Sequence, residues 1–541
     1  MAAVRGRAGV SPAPNLPEVA FPGTVTGGSG GRGSASAATA GSRARAASRS
    51  LRWRTSRFVY AGRRRWRRRH HAPMKMSSPH ATGDAAAAHC RTDQYACGAA
   101  AESLHEVADM AASPHPHAPP DGALRELGRQ GRLGSGRVSR PPRYTAQAGL
   151  QRALFGAFWT SGQERMLTAE ERTLLHQLRP SSPAAAQDCI LFSDPNKDPD
   201  DVVSFVMAKQ LEMLGLARVG HVVTTLGPQA VRAERAMLAK GVFGALGMPG
   251  VGVAIGRDYE IGARQADHGS FLSRGTPLCA EHAGVGQDSL AGMRQSLRDA
   301  SGKVTLIAIA GMTDANALLL MEPGLVRQKV GRVVVMGGIA RDKDDQGLVC
   351  PDDRAYNNHT DLAAARSFYR LAQQYGIPLR VVCKEAAYKA AVSPRFYDAL
   401  AASGHPVGGY LRDIQKESLK TLWDRIGKRE IGKLDERWFY STFIARGGDA
   451  TGFEQWHAQR PPFEQIWGQV ERLNLYDPLT LLAALDAPSQ MLFKPLGAHA
   501  PDKPPVEVIG AEEVTSPDAA RTLMAALSKL ALATEIGYGA R

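Results

Sequence analysis

The chain has 541 residues and a formal net charge of +15, but this charge is unevenly distributed. Residues 1–84 contain 16 Lys and Arg against two acidic residues, whereas residues 85–541 carry 51 basic and 50 acidic side chains. The charge therefore does not identify the whole chain as a nucleic-acid-binding protein. Six cysteines without a Cys-x-x-Cys pair argue against a disulfide framework and a structural zinc site, and no apolar run reaches the roughly 18 residues of a membrane-spanning helix.

The N-terminal region, residues 1–150, is predicted to be disordered and basic, and residues 151–185 to form a linker and helical lead-in. Residues 1–84 are rich in Ala, Arg, Gly and Ser, so they offer little apolar surface to offset the entropy of ordering the chain. This acid-poor composition is typical of a secretion or targeting segment. The arginine run at 63–69 is either a solvated charge run or a nucleic-acid or nuclear-targeting segment.

Residues 186–541 show short apolar strands that alternate with amphipathic helices. Strands are predicted at 189–192, 222–225, 251–255, 304–310, 333–336, 379–383 and 506–509. Helices are predicted at 202–214, 230–246, 289–300, 313–322, 360–375 and 517–535. The pattern predicts an α/β domain with a mainly parallel sheet flanked by helices, and a mostly helical C-terminal portion.

An acidic loop connects the first predicted strand to its helix. It contains Asp194, Asp198, Asp200 and Asp201 within eight residues. Carboxylates crowded in this way raise one another's pKa unless a cation lies between them, and hard oxygen donors suit Ca²⁺. A helix-capping role for Asp200 or Asp201 is the alternative, and the residues alone leave both interpretations open.

Polar residues also follow other predicted strands, at the sheet edge where ligands bind in such folds. Gly337 and Gly338 end one strand, Asn357 lies in the loop beyond it, and Asp477 opens a late helix. Tyr388 follows a further strand, where it lines either a binding pocket or an ordinary helix start.

These segments together resemble the inosine–uridine-type nucleoside hydrolase family, and most specifically the HopQ/XopQ/RipB effectors of plant-pathogenic bacteria. The effectors share the loop Asp-Pro-Asn-Lys-Asp-Pro-Asp-Asp at 194–201 and have segments similar to 384–389, 403–408 and 473–482. The resemblance covers residues 186–540. It implies a nucleoside hydrolase-like fold, export by a type III secretion system, and action in the cytosol of the host cell.

The resemblance also implies Ca²⁺-dependent hydrolysis of an N-glycosidic bond, in which Ca²⁺ holds the ribose hydroxyls and a water. It implies that Asp194 is the general base and a metal ligand, and that Asp201 and Asp477 bind the metal with the backbone carbonyl of Ile309. The residues that it assigns to the substrate are Asn196, Asp200, Tyr356, Asn357 and Tyr476.

Three departures from the family pattern bear on catalysis. Asp194 matches the base when the loop is aligned to the family motif with a two-residue insertion. An alignment without an insertion instead places Asn196 in the position of the base, and an amide cannot act as a base. Ala355 replaces a ribose-binding Glu of the family. Tyr476 replaces a His linked to leaving-group activation, and His405 is a candidate substitute for the missing acid. A phenol has a pKa near 10 and is a poor acid at neutral pH.

Two functions therefore follow from the resemblance. The first is an effector that hydrolyses a purine-type nucleoside or nucleotide. The second is a catalytically weak module that binds a nucleotide or ADP-ribose-like ligand and acts through host proteins. The related effectors also suggest a 14-3-3 protein as a partner, through phosphorylation of Ser139. No membrane or nucleic-acid partner is expected.

Overall fold

The computed structural model describes residues 165–178, 186–196, 198–257, 269–432, 434–445, 449–459 and 461–533. The region predicted to be disordered, residues 1–150, lies outside the described residues together with Ser139. No described helix is both long and apolar enough to cross a lipid bilayer.

Ten strands and eighteen α-helices form the described part of the chain. The strands are β1 Gln187–Ser193, β2 Ala217–Thr224, β3 Gly252–Ile255, β4 Val304–Ala308, β5 Val330–Gly337, β6 Ile339–Lys343, β7 Val349–Pro351, β8 Leu379–Cys383, β9 Leu496–Gly497 and β10 Val506–Ile509.

The helices up to β8 are α1 Ala169–Gln177, α2 Asp200–Met213, α3 Gln229–Ala245, α4 Gly269–Gly275, α5 Ser289–Asp299, α6 Thr313–Met321, α7 Pro323–Lys329, α8 Tyr356–Thr360 and α9 Leu362–Gln374. Those after β8 are α10 Lys384–Lys389, α11 Pro394–Ala401, α12 Pro406–Gly427, α13 Glu436–Phe439, α14 Phe453–Ala458, α15 Phe463–Gln469, α16 Tyr476–Ala484, α17 Asp486–Leu492 and α18 Pro517–Ala533. A short π-helical segment, Tyr440–Ile444, follows α13.

Eight strands form one sheet in the order β3-β2-β1-β4-β5-β8-β10-β9. All neighbours pair in parallel except β9, which is antiparallel to β10. The strand order reverses between β1 and β4, and such a switch point opens a crevice beyond the carboxyl ends of the two strands. The predicted α/β fold, with its mainly parallel sheet and helical C-terminal portion, is confirmed.

The sheet is buried on both faces. In β1, Cys189 and Leu191 pack into one core, whereas Ile190 and Phe192 pack into the other, as the alternation of side chains along a strand requires. Helix α2 packs against β2, α16 and α18 and buries twelve of its fourteen residues. Because this helix is so deeply buried, the aspartates at its start are held in fixed positions.

Several predicted boundaries were wrong. The strand predicted at 304–310 ends at Ala308, so Ile309 lies just beyond the sheet. The helix predicted at 360–375 is broken at Asp361, whose side chain caps the new helix by accepting a bond from the Ala364 N–H at 3.0 Å. The strand predicted at 222–225 begins earlier, at Ala217, and ends at Thr224. The first helix begins at Asp200 rather than at residue 202.

Candidate metal and ligand site

The acidic loop leads directly from β1 into α2. The N-cap of α2 is Pro199, which makes no side-chain capping bond, so Asp200 and Asp201 lie in the first turn and neither is the N-cap. The Asp201 carboxylate instead accepts bonds from the Ser193 hydroxyl and from the Asp194 N–H, the latter at 2.9 Å. These bonds join the start of the helix to the end of the strand and turn the Asp201 carboxylate toward the sheet edge.

Helix α16 brings a third carboxylate to this place. The Asp477 N–H donates to the Asp200 carboxylate at 3.4 Å. Carboxylate oxygens of Asp200, Asp201 and Asp477 lie within 4.8 Å of one another, and all three side chains are buried. We call these three residues the carboxylate cluster.

Burial and mutual repulsion dominate the electrostatics of the cluster. Burial raises the pKa of Asp201 well above its ordinary value, and the charges of Asp194 and Asp200 add to this, while hydrogen bonds from Ser193 and Asp194 oppose it. The pKa of Asp477 is likewise raised well above its ordinary value, first by burial and then by the surrounding carboxylates. Close ionised carboxylates need a counter-charge, and an all-oxygen donor set fits a hard divalent cation.

Asp194 faces a buried arginine. The Arg235 Nη2 lies 3.7 Å from the Asp194 Oδ2, and both side chains are buried. The Arg235 Nη1 also donates to the carbonyls of Thr225 at 2.7 Å and Leu226 at 2.6 Å, which holds the guanidinium in place. Sequence reasoning missed Arg235. Its signal is a charged residue on the buried face of α3, together with Ala239 and Val242.

Asn357 and Ile309 meet at the carboxyl ends of β4 and β5. The Asn357 Nδ2 donates to the Ile309 carbonyl at 3.1 Å and to the Met336 carbonyl at 3.2 Å. Tyr356 is the first residue of α8 and follows Ala355 at its N-cap. Asn196 is buried in the loop between β1 and α2.

Tyr476 directly precedes Asp477 at the start of α16, and Tyr388 of α10 packs against it. The ring centroids of Tyr388 and Tyr476 lie 6.2 Å apart in an edge-to-face arrangement. The Tyr476 hydroxyl accepts a bond from the Asn474 Nδ2 at 3.1 Å. Burial raises the pKa of Tyr476 well above its ordinary value, so the phenol stays neutral.

His405 has a structural role in this fold. It is the N-cap of α12, where its Nδ1 accepts a bond from the Val407 N–H at 3.2 Å. Its Nε2 lies 3.2 Å from the Ala245 carbonyl. Both ring nitrogens are thus engaged, and the geometry does not support His405 as the missing acid.

The sequence matches no protein-family model, and no curated protein matches it. The type III effector XopQ, whose crystal structure holds adenosine diphosphate ribose, is 48% identical in sequence to this chain. The aligned region covers 68% of this chain and 100% of the XopQ chain, with a TM-score of 0.63. The effector protein XOO4466 is also 48% identical, covers 68% of this chain and 99% of that chain, and has the same TM-score of 0.63. A plant nucleoside hydrolase is more distant, with 17% identity, a TM-score of 0.43, and coverage of 63% of this chain and 99% of that chain. The 48% identity over the full length of the XopQ structure, together with the shared α/β architecture, shows that this chain belongs to the XopQ family of type III effectors.

Proposed function

We propose that this chain is a type III effector that binds a nucleoside or nucleotide ligand in the host cytosol and hydrolyses its N-glycosidic bond with the help of Ca²⁺. The observation that carries the proposal is the buried carboxylate cluster beyond the carboxyl ends of β1 and β4, at the switch point of the sheet. XopQ, at 48% identity, was crystallised with ADP-ribose, which supports a ligand of this chemical class.

The residues present fit a divalent cation. Asp201 and Asp477 of the carboxylate cluster would hold it. The predicted further ligands are Asp194, whose N–H donates to the Asp201 carboxylate, and the Ile309 carbonyl. A bound Ca²⁺ would supply the positive charge that stabilises the buried carboxylates and would orient ribose hydroxyl groups. Asp200, Asn196 and Asn357 would bind the sugar, and the Tyr356 ring would contact it.

Asp194 would act as the general base. It would accept a proton from the attacking water as the water oxygen bonds to ribose C1′ and the bond from C1′ to the base nitrogen breaks, through a transition state with oxocarbenium character. The base would leave with the bonding electron pair and take a proton from solvent. The buried Arg235 guanidinium favours the ionised form of Asp194, which is the form that accepts a proton.

A second candidate function is a catalytically weak binding module that acts through host proteins. Tyr476 carries this alternative, because a buried neutral phenol donates a hydrogen bond to a leaving base but transfers its proton poorly at neutral pH. A 14-3-3 protein bound to phosphorylated Ser139 remains a predicted partner.

Ribose release by the full chain tests these two functions. The substrates are a panel of nucleosides, 5′-nucleotides and ADP-ribose, each with Ca²⁺ or with a chelator, and Ca²⁺ binding is measured by calorimetry. Asp201→Asn removes one cluster charge, and Asp486→Asn is a matched control, since Asp486 is exposed and pairs with Arg332. Release that needs Ca²⁺ and is lost only in Asp201→Asn supports the hydrolase. Tight ligand binding without release supports the binding module, and absence of Ca²⁺ and ligand binding would refute both.

A further inference from the structure

The turn between β2 and α3 holds a leucine in a strained backbone conformation. Leu226 has a φ of 66°, in the left-handed region that is unfavourable for a residue with a Cβ and is adopted mainly by Gly, Asn and Asp. Among the described residues, the one other non-glycine residue with a positive φ is Arg429. A strained residue persists only where its surroundings fix its conformation, so the contacts of Leu226 show what holds it.

Core packing of the side chain does not account for this conformation. The Leu226 side chain is partly exposed, and in the described part of the chain it belongs to neither of the two apolar cores of the sheet. The Leu226 carbonyl, by contrast, accepts a bond at 2.6 Å from the Nη1 of Arg235, whose side chain is 1% exposed. A backbone contact with a buried arginine therefore fixes Leu226.

Two consecutive carbonyls meet this one arginine nitrogen. The Arg235 Nη1 donates to the Thr225 carbonyl at 2.7 Å as well as to the Leu226 carbonyl. Because peptide groups are planar, the dihedral angles of Leu226 alone set the angle between these two carbonyls. In a strand, successive residues face opposite sides, so an extended Leu226 would turn its carbonyl away from the guanidinium. The shared contact therefore depends on the conformation of Leu226.

This turn lies against the end of β1, directly before the proposed general base. The Thr225 N–H donates to the Ser193 carbonyl at 3.0 Å, one residue before Asp194. The Nη2 of Arg235 lies 3.7 Å from the Asp194 Oδ2. A guanidinium is planar and rigid, so the two carbonyls that hold its Nη1 also set where its Nη2 lies.

We propose that Leu226 is a positioning residue for Asp194. Its left-handed backbone turns the Leu226 carbonyl onto Arg235 and thereby holds the guanidinium against the Asp194 carboxylate. A general base must direct one oxygen at the attacking water, and a small displacement of such a group costs much of the rate. The role in catalysis rests on the proposed function of this site, whereas the link from Leu226 through Arg235 to Asp194 does not.

The test compares residues by their tolerance of the left-handed conformation. Leu226→Val places a β-branched residue at a positive φ, whereas Leu226→Gly removes the strain. Arg429→Val is the matched control, because it makes the same kind of change at the exposed position with a φ of 57°. Each variant of the full chain is combined with Arg235→Met, with Asp194→Asn and with both. Urea denaturation with a chelator then gives the coupling between Arg235 and Asp194 in each background.

The expected result separates positioning from stability. In wild type and in Arg429→Val, the coupling should change the equilibrium constant of unfolding by about thirty- to a hundredfold. In Leu226→Val it should fall below about threefold, and in Leu226→Gly it should stay above about tenfold. Leu226→Val and Arg429→Val should both lower the Tm, so a purely structural role would leave the coupling intact. In the ribose-release assay, Leu226→Val should lower kcat by about ten- to a hundredfold with KM within about threefold of wild type.

A second measurement applies if Leu226→Val does not fold. Leu226→Gly should change the Tm more favourably in wild type than in Arg235→Met, because the contact with Arg235 maintains the strain that glycine relieves.

Two results would overturn the inference while the proposed function stands. One is a coupling between Arg235 and Asp194 in Leu226→Val equal to that in Arg429→Val. The other is an equal change of Tm by Leu226→Gly in wild type and in Arg235→Met. A wild-type chain that releases no ribose and binds neither Ca²⁺ nor ADP-ribose would instead overturn the proposed function and the catalytic role, and the coupling would still decide whether Leu226 holds Arg235 against Asp194.

Discussion

Replacement of Arg235 by methionine is expected to destabilise the protein strongly, because Arg235 pairs with Asp194 inside the fold. The two side chains are 1% and 4% exposed, so water replaces neither partner when the other is removed. Methionine fills much of the same volume, but it leaves Asp194 buried beside other carboxylates without its cation. The Thr225 and Leu226 carbonyls also lose their bonds from the Arg235 Nη1.

The magnitude follows from the separation of the charges. At 3.7 Å and an effective dielectric constant of about 20, opposite unit charges attract by about 4.5 kcal/mol. Loss of one partner of a buried pair typically costs about 3–5 kcal/mol, because the remaining charge stays desolvated. Arg235→Met should therefore lower the free energy of unfolding by about 3–5 kcal/mol.

A double-mutant cycle isolates the contribution of the ion pair. Urea denaturation in the presence of a chelator compares wild type, Arg235→Met, Asp194→Asn and the double variant. The two carbonyl bonds are lost with arginine in either background, so their effect cancels in the cycle. We expect a coupling energy of about 2–3 kcal/mol between the two positions. Additivity within about 0.5 kcal/mol would refute the pair as an energetic unit.

Three further predictions concern the remaining buried groups. The His221 ring lies against Gly252 and Gly292, and burial lowers its pKa to about 4 from 6.5. The stabilisation from neutral His221 is therefore present above pH 6.5 and is lost as pH falls toward 4. By urea denaturation, wild type should lose about 2.5 kcal/mol more than His221→Phe between pH 7.5 and 4.5, and equal losses would contradict this. A Cβ at Gly292 would lie 2.5 Å from the His221 ring, so Gly292→Ala should lower the free energy of unfolding by about 1–3 kcal/mol. Gly244→Ala is the control and should not lower it, because nothing lies within 4 Å of a Cβ at that helical position. The pKa of Asp477 is raised, so the protein with a chelator present loses stability as the pH rises through that pKa. At pH 7.5, Asp477→Asn should therefore raise the Tm measured with a chelator and abolish the increase in Tm on adding Ca²⁺. An increase in Tm with Ca²⁺ equal to that of wild type would exclude Asp477 as a ligand.

The architecture, and the edge of the sheet at which the site lies, could be predicted from local sequence patterns. Apolar runs of four to eight residues that alternate with amphipathic helices encode a buried parallel sheet, because each signal repeats within a few residues of the chain. The aspartates at 194–201 lie between a strand and its helix, so their place at the carboxyl edge follows from local order alone. The similarity of 473–482 to the effectors indicated Asp477 as their partner, although 276 residues separate it from Asp201.

The pairing of these residues could not be predicted, because it depends on how distant elements pack. Arg235 reaches Asp194 because β1 and β2 are neighbours and α3 packs on the sheet beside them. The periodicity of a segment states which side is buried, but it does not state which distant group lies opposite. Strand order and helix packing bring these distant groups together. Whether a buried polar group has a hydrogen-bond partner therefore depends on the packing and not on the local sequence.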